Sequence, residues 1–211
     1  MDELQIREDM VRFSRSLFDR GYSVGTAGNI SVALPDGYLM TPTNSSLGSL
    51  EAERISKLDR DWNHVAGDKP SKEVFLHRAL YESRDQAAAI VHLHSTYATA
   101  LSCLKDTDPD DCLLPLTPYA VMRVGTVKML PYVNPGCEKS ADLIRALEGD
   151  YAAVLLENHG PVVSAKDLAS AVYASEELEE TAKLLVLLKG AEVKLLPETV
   201  VAELKARFKD M

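Results

Sequence analysis

The chain has 211 residues, of which 46% are hydrophobic, and its formal net charge at pH 7 is −9. This length suits one domain with a sizeable core, and no run approaches the 18 consecutive apolar residues that would predict a membrane span. The acidic balance and the absence of a basic stretch argue against nucleic acid or an anionic membrane as the main partner.

Apolar periodicity and turn residues predict interleaved helices and strands. The predicted helices cover residues 3–20, 72–83, 95–103, 138–148 and 166–189, and glycines follow the first and the last of them. The predicted strands cover residues 30–34, 38–41, 55–59, 88–94, 126–132 and 151–156, and Pro-Asp-Gly between the first two predicts a hairpin. Residues 105–118 are expected to form a loop, and 191–211 a C-terminal tail with one weaker amphipathic segment. The pattern lacks strict βαβ regularity, which favours a mixed sheet flanked by helices, in one α/β domain over residues 1–211.

The cysteines and the N-terminus predict a cytoplasmic protein. The three cysteines, Cys103, Cys112 and Cys137, are odd in number and follow no pattern, so a disulfide framework is not expected. The first residues, Met-Asp-Glu-Leu-Gln, are acidic where a secretory signal would be basic and then apolar.

Three histidines suggest a metal site. His92 and His94 lie in an apolar, β-branched run, and side chains two apart on a strand share one face. Two adjacent buried imidazoles each need a partner, and neutral imidazole nitrogens bind zinc, manganese or iron well. A distant third histidine, His159 in Asn-His-Gly, would leave one coordination position open, as in catalytic sites. The alternative is a pair of packing or surface histidines.

Three polar segments could bind an anion. Gly25-Thr26-Ala27-Gly28-Asn29 is a glycine-rich loop whose backbone NH groups could converge on a phosphate, although most such loops are simple turns. Residues 41–46 form a second polar loop that follows a strand. Ser71-Lys72-Glu73 opens a predicted helix with Ser71 as N-cap, and a helix N-terminus favours negative charge. Glu73 could equally be an ordinary acidic residue of a first helical turn.

These segments occur in a fixed order along residues 25–160. They read Gly-Thr-Ala-Gly-Asn-Ile-Ser, Thr-Pro-Thr, Ser-Lys-Glu, His-Leu-His and Asn-His-Gly. As a set they closely resemble the class II aldolase/adducin family. The resemblance implies a three-layer α/β/α domain with a central mixed, mainly antiparallel sheet, and a homotetramer with active sites at subunit interfaces. It also implies a divalent metal, usually Zn²⁺, with Mn²⁺, Co²⁺ or Fe²⁺ as alternatives.

The resemblance further implies a role for each residue of the site. The metal would be held by His92, His94 and His159, and Glu73 would be a catalytic acid or base that could also contact the metal. Tyr119 would act as a proton donor from a neighbouring subunit. The substrate phosphate would be bound by Gly28, Asn29, Thr43, Asn44, Ser71 and Lys72.

One branch of the family resembles this chain most. Aldolases of the family usually have Ser-Ser-Glu at the helix start, whereas Lys72 stands between Ser71 and Glu73 here, and the tail lacks the tyrosine that some aldolases use. The segments Thr-Pro-Thr-Asn-Ser-Ser-Leu-Gly and Lys-Pro-Ser-Lys-Glu-Val are most similar to 3-oxo-tetronate 4-phosphate decarboxylases. That similarity implies a metal-dependent lyase that converts a small phosphorylated sugar acid into dihydroxyacetone phosphate and CO₂ in sugar-acid catabolism.

Three alternatives stay open at this point. The same scaffold could serve an aldolase of the fuculose-phosphate type or a pentulose-phosphate 4-epimerase. A non-catalytic, adducin-like assembly module is disfavoured because all three histidines are present.

Overall fold

The fold is built around one eight-stranded sheet, in a computed structural model that describes residues 2–149 and 151–208. The strands are β1 (Asn29–Leu34), β2 (Gly37–Met40), β3 (Ser56–Asp59), β4 (His64–Ala66), β5 (Ala89–His92), β6 (Val127–Leu130), β7 (Ala153–Leu156) and β8 (Gly160–Ala165). Their order across the sheet is β4-β3-β2-β1-β5-β8-β7-β6. All neighbouring strands are antiparallel except β6 and β7, so the prediction of a mixed, mainly antiparallel sheet is confirmed.

Helices cover both faces of this sheet. They are α1 (Glu3–Asp19), α2 (Val74–Ser83), α3 (Thr96–Ser102), α4 (Pro118–Arg123), α5 (Lys139–Arg145), α6 (Leu168–Leu187) and α7 (Glu198–Arg207). Successive strand residues point to opposite faces, so Ile90 and Val162 pack under α2 and α5. Their neighbours Val91 and Val163 pack on the other side, against α1, α3 and α6. The single three-layer α/β/α domain is therefore confirmed.

The predicted elements are present, with shifted ends. The hairpin is confirmed by pairing between Leu34 and Gly37, where Gly37 has φ +156° and a Cβ would collide with the carbonyl of Leu58. The helix predicted over residues 166–189 is α6. It begins at Leu168, and the preceding residue, Asp167, caps it by accepting a hydrogen bond from the Ser170 N–H at 2.7 Å.

The predicted start of α2 is wrong by two residues. Ser71 was expected to be the N-cap of a helix beginning at residue 72, but the helix begins at Val74 and Glu73 occupies the cap position. Ser71 still accepts a hydrogen bond from the Glu73 N–H, at 3.3 Å, and its carbonyl accepts one from the Val74 N–H. A turn at residues 71–73 therefore precedes the helix, and it sets the direction of the Glu73 side chain.

Four elements were not predicted as such. They are β4, β8, the short helix α4 and the tail helix α7, of which the last had appeared only as a weak amphipathic segment. The helix α4 follows Thr117, whose hydroxyl accepts a hydrogen bond from the Ala120 N–H at 3.2 Å, so the polar loop ends one residue earlier than expected.

The C-terminal tail packs on the domain. The Leu196 N–H donates to the Pro115 carbonyl at 3.0 Å, and Lys205 Nζ donates to Thr126 Oγ1 at 2.9 Å. The last three residues of the predicted tail, 209–211, lie outside the described residues. Within the described ranges, no helix is both long enough and apolar enough to cross a membrane.

Candidate metal centre and substrate cavity

The three predicted histidines meet at one point. His92 is the last residue of β5, His94 follows two residues later, and His159 lies in the turn between β7 and β8. Their Nε2 atoms form a triangle with sides of 3.1 Å (His92–His94), 3.3 Å (His92–His159) and 3.0 Å (His94–His159). The predicted strand had extended through His94. The strand ends at His92 instead, but the side chain of His94 still points to the same side.

A tight turn brings His159 to the other two histidines. Asn158 adopts a left-handed backbone (φ +56°), and the His159 N–H donates to the Leu156 carbonyl at 3.1 Å. Gly160, with φ +153°, follows, and a Cβ there would collide with the carbonyl oxygen of Leu93. The Asn-His-Gly sequence therefore lets the chain reverse while it stays close to the segment that carries His94.

The donor atoms fit a divalent metal ion. A tetrahedral ion with metal–nitrogen distances of about 2.0–2.1 Å holds its ligands about 3.3–3.4 Å apart, close to the spacing of the three Nε2 atoms. His92 Nδ1 donates to the Pro161 carbonyl at 2.8 Å, which orients the ring so that Nε2 is the nitrogen that faces the other two imidazoles. Burial, and the nearby His92, lower the pKa of His94 and of His159 to about 4, so both are neutral ligands at pH 7.

Glu73 completes the cluster. Its Oε2 lies 3.5 Å from His92 Nε2 and its Oε1 lies 3.5 Å from His159 Nε2, so one carboxylate faces two of the three imidazoles. Oε2 also accepts a hydrogen bond from Asn29 Nδ2 at 2.8 Å. Burial alone would raise the pKa of Glu73, but His92 and the Asn29 amide outweigh it and hold the pKa below its usual value. Glu73 is therefore ionised at pH 7 and can accept a proton or contact a cation.

A cavity of about 300 Å³ opens beside the cluster. All six residues predicted to bind phosphate line this cavity, together with Glu73 and His94. The other lining residues are Thr26, Ala27, Pro42, Pro135 and Gly136. Lys72 is exposed and has no carboxylate partner among the residues that the structure describes, so its ammonium group is available to an anion in the cavity.

Gly28 allows the glycine-rich loop to pass close to the cluster. It has φ +81°, and a Cβ on it would lie 3.0 Å from the carbonyl oxygen of His92. Any larger residue would push the loop away from the strand end. Asn44, across the cavity, also has a left-handed backbone (φ +57°), which asparagine tolerates better than most residues.

Tyr119 lies apart from this cluster. It is on α4 rather than in the predicted loop, its side chain is 57% exposed, and it is not among the described residues that line the cavity of its own chain. Tyr119 therefore does not contact Glu73 of its own chain. Its exposed position is compatible with a contact to Glu73 of another chain.

Residues that the sequence analysis did not single out surround the site. Pro135 and Gly136, in the loop after β6, form one wall of the cavity. His77, Ser31 and Tyr81 lie behind Asn29 in a hydrogen-bonded row. The spacing could have revealed this row, because Asn29 and Ser31 share a strand face and Glu73, His77 and Tyr81 recur every four residues along a helix.

Comparison with known proteins gives the family. Residues 8–186 match the model of the class II aldolase and adducin N-terminal domain. The 3-oxo-tetronate 4-phosphate decarboxylase of Haemophilus influenzae is 51% identical over 99% of this chain and 100% of that protein. The L-fuculose phosphate aldolase of Methanocaldococcus jannaschii is 35% identical over 86% of this chain and 96% of that protein.

A solved structure shows the same fold. The crystal structure of YgbL from Klebsiella pneumoniae superposes on this chain with a TM-score of 0.93 at 49% identity, over 97% of this chain and 99% of that chain. The family match, the full-length relatives and the shared architecture agree with the resemblance seen in the sequence. The chain belongs to the class II aldolase and adducin family.

Proposed function

We propose that this chain is a metal-dependent carboxy-lyase that converts a 3-oxo-tetronate 4-phosphate into dihydroxyacetone phosphate and CO₂ in sugar-acid catabolism. The observation that carries the proposal is the triangle of imidazole Nε2 atoms and the Glu73 carboxylate beside a polar cavity. Relatives that are 44–51% identical over nearly the whole chain and bear the name of this decarboxylase support the choice of reaction.

His92, His94 and His159 would hold one divalent ion, with Glu73 as a further contact. Zn²⁺ is the first choice for three imidazoles at this spacing, and Mn²⁺, Co²⁺ and Fe²⁺ are alternatives. When bound, the ion would supply a Lewis acid that polarises the substrate ketone and so stabilises the negative charge left when CO₂ departs.

The substrate phosphate would be bound where the glycine-rich loop, the polar loop after β2 and the turn before α2 converge. The groups proposed to bind it are Gly28, Asn29, Thr43, Asn44, Ser71 and Lys72. Backbone NH groups and hydroxyls in such a concave arrangement favour a dianion. Lys72 would pair either with the phosphate or with the substrate carboxylate.

Glu73 and Tyr119 would handle the proton. Loss of CO₂ leaves an electron pair at the adjacent carbon, which must take up one proton to give dihydroxyacetone phosphate. Ionised Glu73 must first accept a proton before it can donate one. Tyr119 of a neighbouring subunit would be the other donor, and its exposure on α4 supports a role at a subunit interface.

We propose a cytoplasmic homotetramer with active sites at its interfaces, formed from one domain over residues 1–211 with 191–211 as a tail. Its partner is a small phosphorylated sugar acid, and no nucleic acid or membrane is expected to bind.

The test is to incubate metal-replete protein with each enantiomer of 3-oxo-tetronate 4-phosphate and to measure CO₂ and dihydroxyacetone phosphate. We expect one enantiomer to react, about one divalent ion per chain, and loss of both ion and activity in His92→Ala. Fuculose 1-phosphate and a pentulose 5-phosphate are the parallel substrates. Cleavage of fuculose 1-phosphate as fast as decarboxylation would favour the aldolase, epimerisation of the pentulose would favour the epimerase, and a metal-free, inactive protein would favour the assembly module.

A further inference from the structure

A continuous row of hydrogen bonds connects the sheet, α2 and Glu73. Tyr81 Oη lies 3.0 Å from Ser31 Oγ, which lies 2.7 Å from His77 Nδ1. His77 Nε2 lies 2.6 Å from Asn29 Oδ1, and Asn29 Nδ2 lies 2.8 Å from Glu73 Oε2. The row alternates between β1 and α2, and both ring nitrogens of the fully buried His77 take part.

The charge on Glu73 determines where the protons of this row lie. An ionised carboxylate only accepts hydrogen bonds, so the Asn29 NH₂ group must face Glu73 and Asn29 Oδ1 must face His77. His77 Nε2 must then carry the hydrogen. Burial lowers the pKa of His77 to about 3, so at pH 7 the ring is neutral and its Nδ1 accepts from the Ser31 hydroxyl. Tyr81 then donates to Ser31, and each donor in the row points towards Glu73.

We propose that His77 is a positioning residue that holds the Asn29 amide in the one orientation in which its NH₂ group binds Glu73. This inference rests on the proposed function, in which Glu73 transfers a proton. Within the described residues, the His77 ring bonds to Ser31 and Asn29 and to none of the three histidines proposed to bind the metal, and it does not line the cavity, so it acts through Asn29.

Without the His77 donor, the Glu73 carboxylate alone would orient the amide, and the buried Asn29 Oδ1 would lack the partner that holds it away from Glu73. Rotation of the Asn29 amide by half a turn would place its oxygen against the Glu73 carboxylate, where two acceptors repel. Glu73 would then lose a charge-assisted hydrogen bond and one constraint on its direction towards His92 and His159. The competing explanation is that His77 only fills the core with its polar atoms satisfied.

The experiment compares two substitutions of His77 with one matched control. His77→Leu removes both polar atoms, whereas His77→Gln keeps an NH donor that can reach Asn29. His64→Leu is the control, because His64 is exposed on β4 and its ring, within the described residues, bonds to the Ala66 carbonyl of its own strand and to no other group. Each variant is saturated with Zn²⁺, its metal content is measured, and kcat and KM for 3-oxo-tetronate 4-phosphate are determined.

We expect His77→Leu to lower kcat about tenfold to a hundredfold with KM changed less than about threefold, because a hydrogen bond to a charged group is lost while the phosphate-binding groups other than Asn29 remain in place. His77→Gln should recover most of kcat, and His64→Leu should match wild type. In an Asn29→Ala background, His77→Leu should cause no further loss, because the amide through which it acts is already gone. Equal kcat for His77→Leu and His64→Leu, or multiplicative losses in the double variant, would overturn the proposal.

A second measurement does not depend on activity or on the variants folding. Nitrogen-15 NMR of metal-free wild type at pH 7 should show His77 neutral, with its hydrogen on Nε2 and none on Nδ1. A hydrogen on Nδ1, or a charged ring, would contradict the hydrogen-bond directions proposed for this row. If the tautomer is as expected but wild type does not decarboxylate the sugar acid, then the proposed function fails and the arrangement around Glu73 stands.

Discussion

A buried neutral histidine makes the fold sensitive to acid. The folded-state pKa of His77 is about 3, well below the ordinary value of 6.5, because burial disfavours its charged form. Between these two values the unfolded chain binds a proton that the folded chain does not bind. Stability is therefore fully present above pH 6.5 and is lost as the pH falls below it.

The first prediction follows from this loss of stability as the pH falls. Urea unfolding of metal-free protein should show a free energy of unfolding that decreases from pH 6.5 to pH 5, and His77 alone should contribute about 1.4 kcal/mol per pH unit. His77→Gln cannot be protonated and should give a flatter profile over this range. Identical slopes for the two proteins would mean that His77 binds its proton in the folded state as well.

Lys72 is the residue on which the choice between decarboxylase and aldolase depends most. It lines the cavity, it is exposed, and no ion pair to it is found in the described part of the chain. If it binds the substrate phosphate or carboxylate, Lys72→Ser should lower kcat/KM roughly tenfold to a few hundredfold, because a charge-assisted contact contributes about 1.5–3 kcal/mol.

Lys69→Ser is the matched control for this second prediction. Lys69 is three residues away and exposed, and it does not line the cavity. Its substitution should leave the kinetics unchanged. If Lys72→Ser behaves in the same way and the protein becomes slightly more stable, then Lys72 is a solvated side chain beside a helix N-terminus and does not determine the substrate.

At the scale of elements, the short helix α3 is capped by a residue far away in the sequence. Its own N-cap, Ser95, makes no side-chain cap hydrogen bond. The buried carboxylate of Glu179, on α6, instead accepts the Tyr97 N–H at 2.8 Å and the Ala98 N–H at 2.7 Å. Because α3 begins two residues after His94, this contact also fixes the segment that carries one of the histidines proposed to bind the metal.

The third prediction concerns that contact. Glu179→Gln keeps the size of the side chain but turns one acceptor into a donor facing an N–H, and should lower the free energy of unfolding by about 1.5–3 kcal/mol in urea titrations of metal-free protein. Glu180→Gln, one position along on the exposed face, should change it by less than about 0.5 kcal/mol. Equal effects of the two substitutions would show that the two backbone hydrogen bonds do not stabilise α3.

The elements that the sequence predicted are those with a repeated pattern. Long apolar periodicity revealed α1 and α6, and Asp36-Gly37 revealed the first hairpin. The strand β8 was missed because it opens with Gly160-Pro161, which reads as the continuation of a turn, yet Pro161 supplies a carbonyl to His92 and Val162 pairs with that residue. The strand β4 and the helix α4 are too short to show a period.

The site was predictable to the extent that its residues follow one another in motifs. The three histidines, Glu73 and the six residues predicted to bind phosphate all lie in short segments, so a linear reading singled them out, whereas Pro135 and Gly136 of the cavity wall lie in no such motif. Glu179 and His77 were not found. The four-residue spacing groups His77 with Glu73 and Tyr81 on one helix face, but no local pattern states which strand that face meets, and the same is true of Glu179 and α3. The distances between Asn29, His77 and Glu73 come from packing β1 against α2, which only the folded chain specifies.

At the scale of the whole molecule, the surface around α4 suggests an interface. Tyr119 is exposed there, and an apolar groove of about 320 Å³ lies between the loop after α3 and the end of α6. Leu104, Leu188 and Val193 are among its lining residues. Subunit association over this groove would remove these apolar side chains from water, so the groove is a candidate contact surface for the proposed oligomer.

The last prediction tests whether two chains build one site. Glu73→Gln and Tyr119→Phe chains should each be inactive, but a mixed assembly contains sites in which an intact Glu73 of one subunit faces an intact Tyr119 of its neighbour. For random mixing in a closed ring, about one quarter of the sites would be intact, so activity should recover to about a quarter of wild type.

Mixing either variant with the Glu73→Gln/Tyr119→Phe double variant should recover nothing, because one of the two groups is then missing everywhere. If assemblies that mass spectrometry verifies as mixed stay inactive, Tyr119 serves its own subunit, and if Tyr119→Phe chains are already active alone, Tyr119 takes no part in the chemistry.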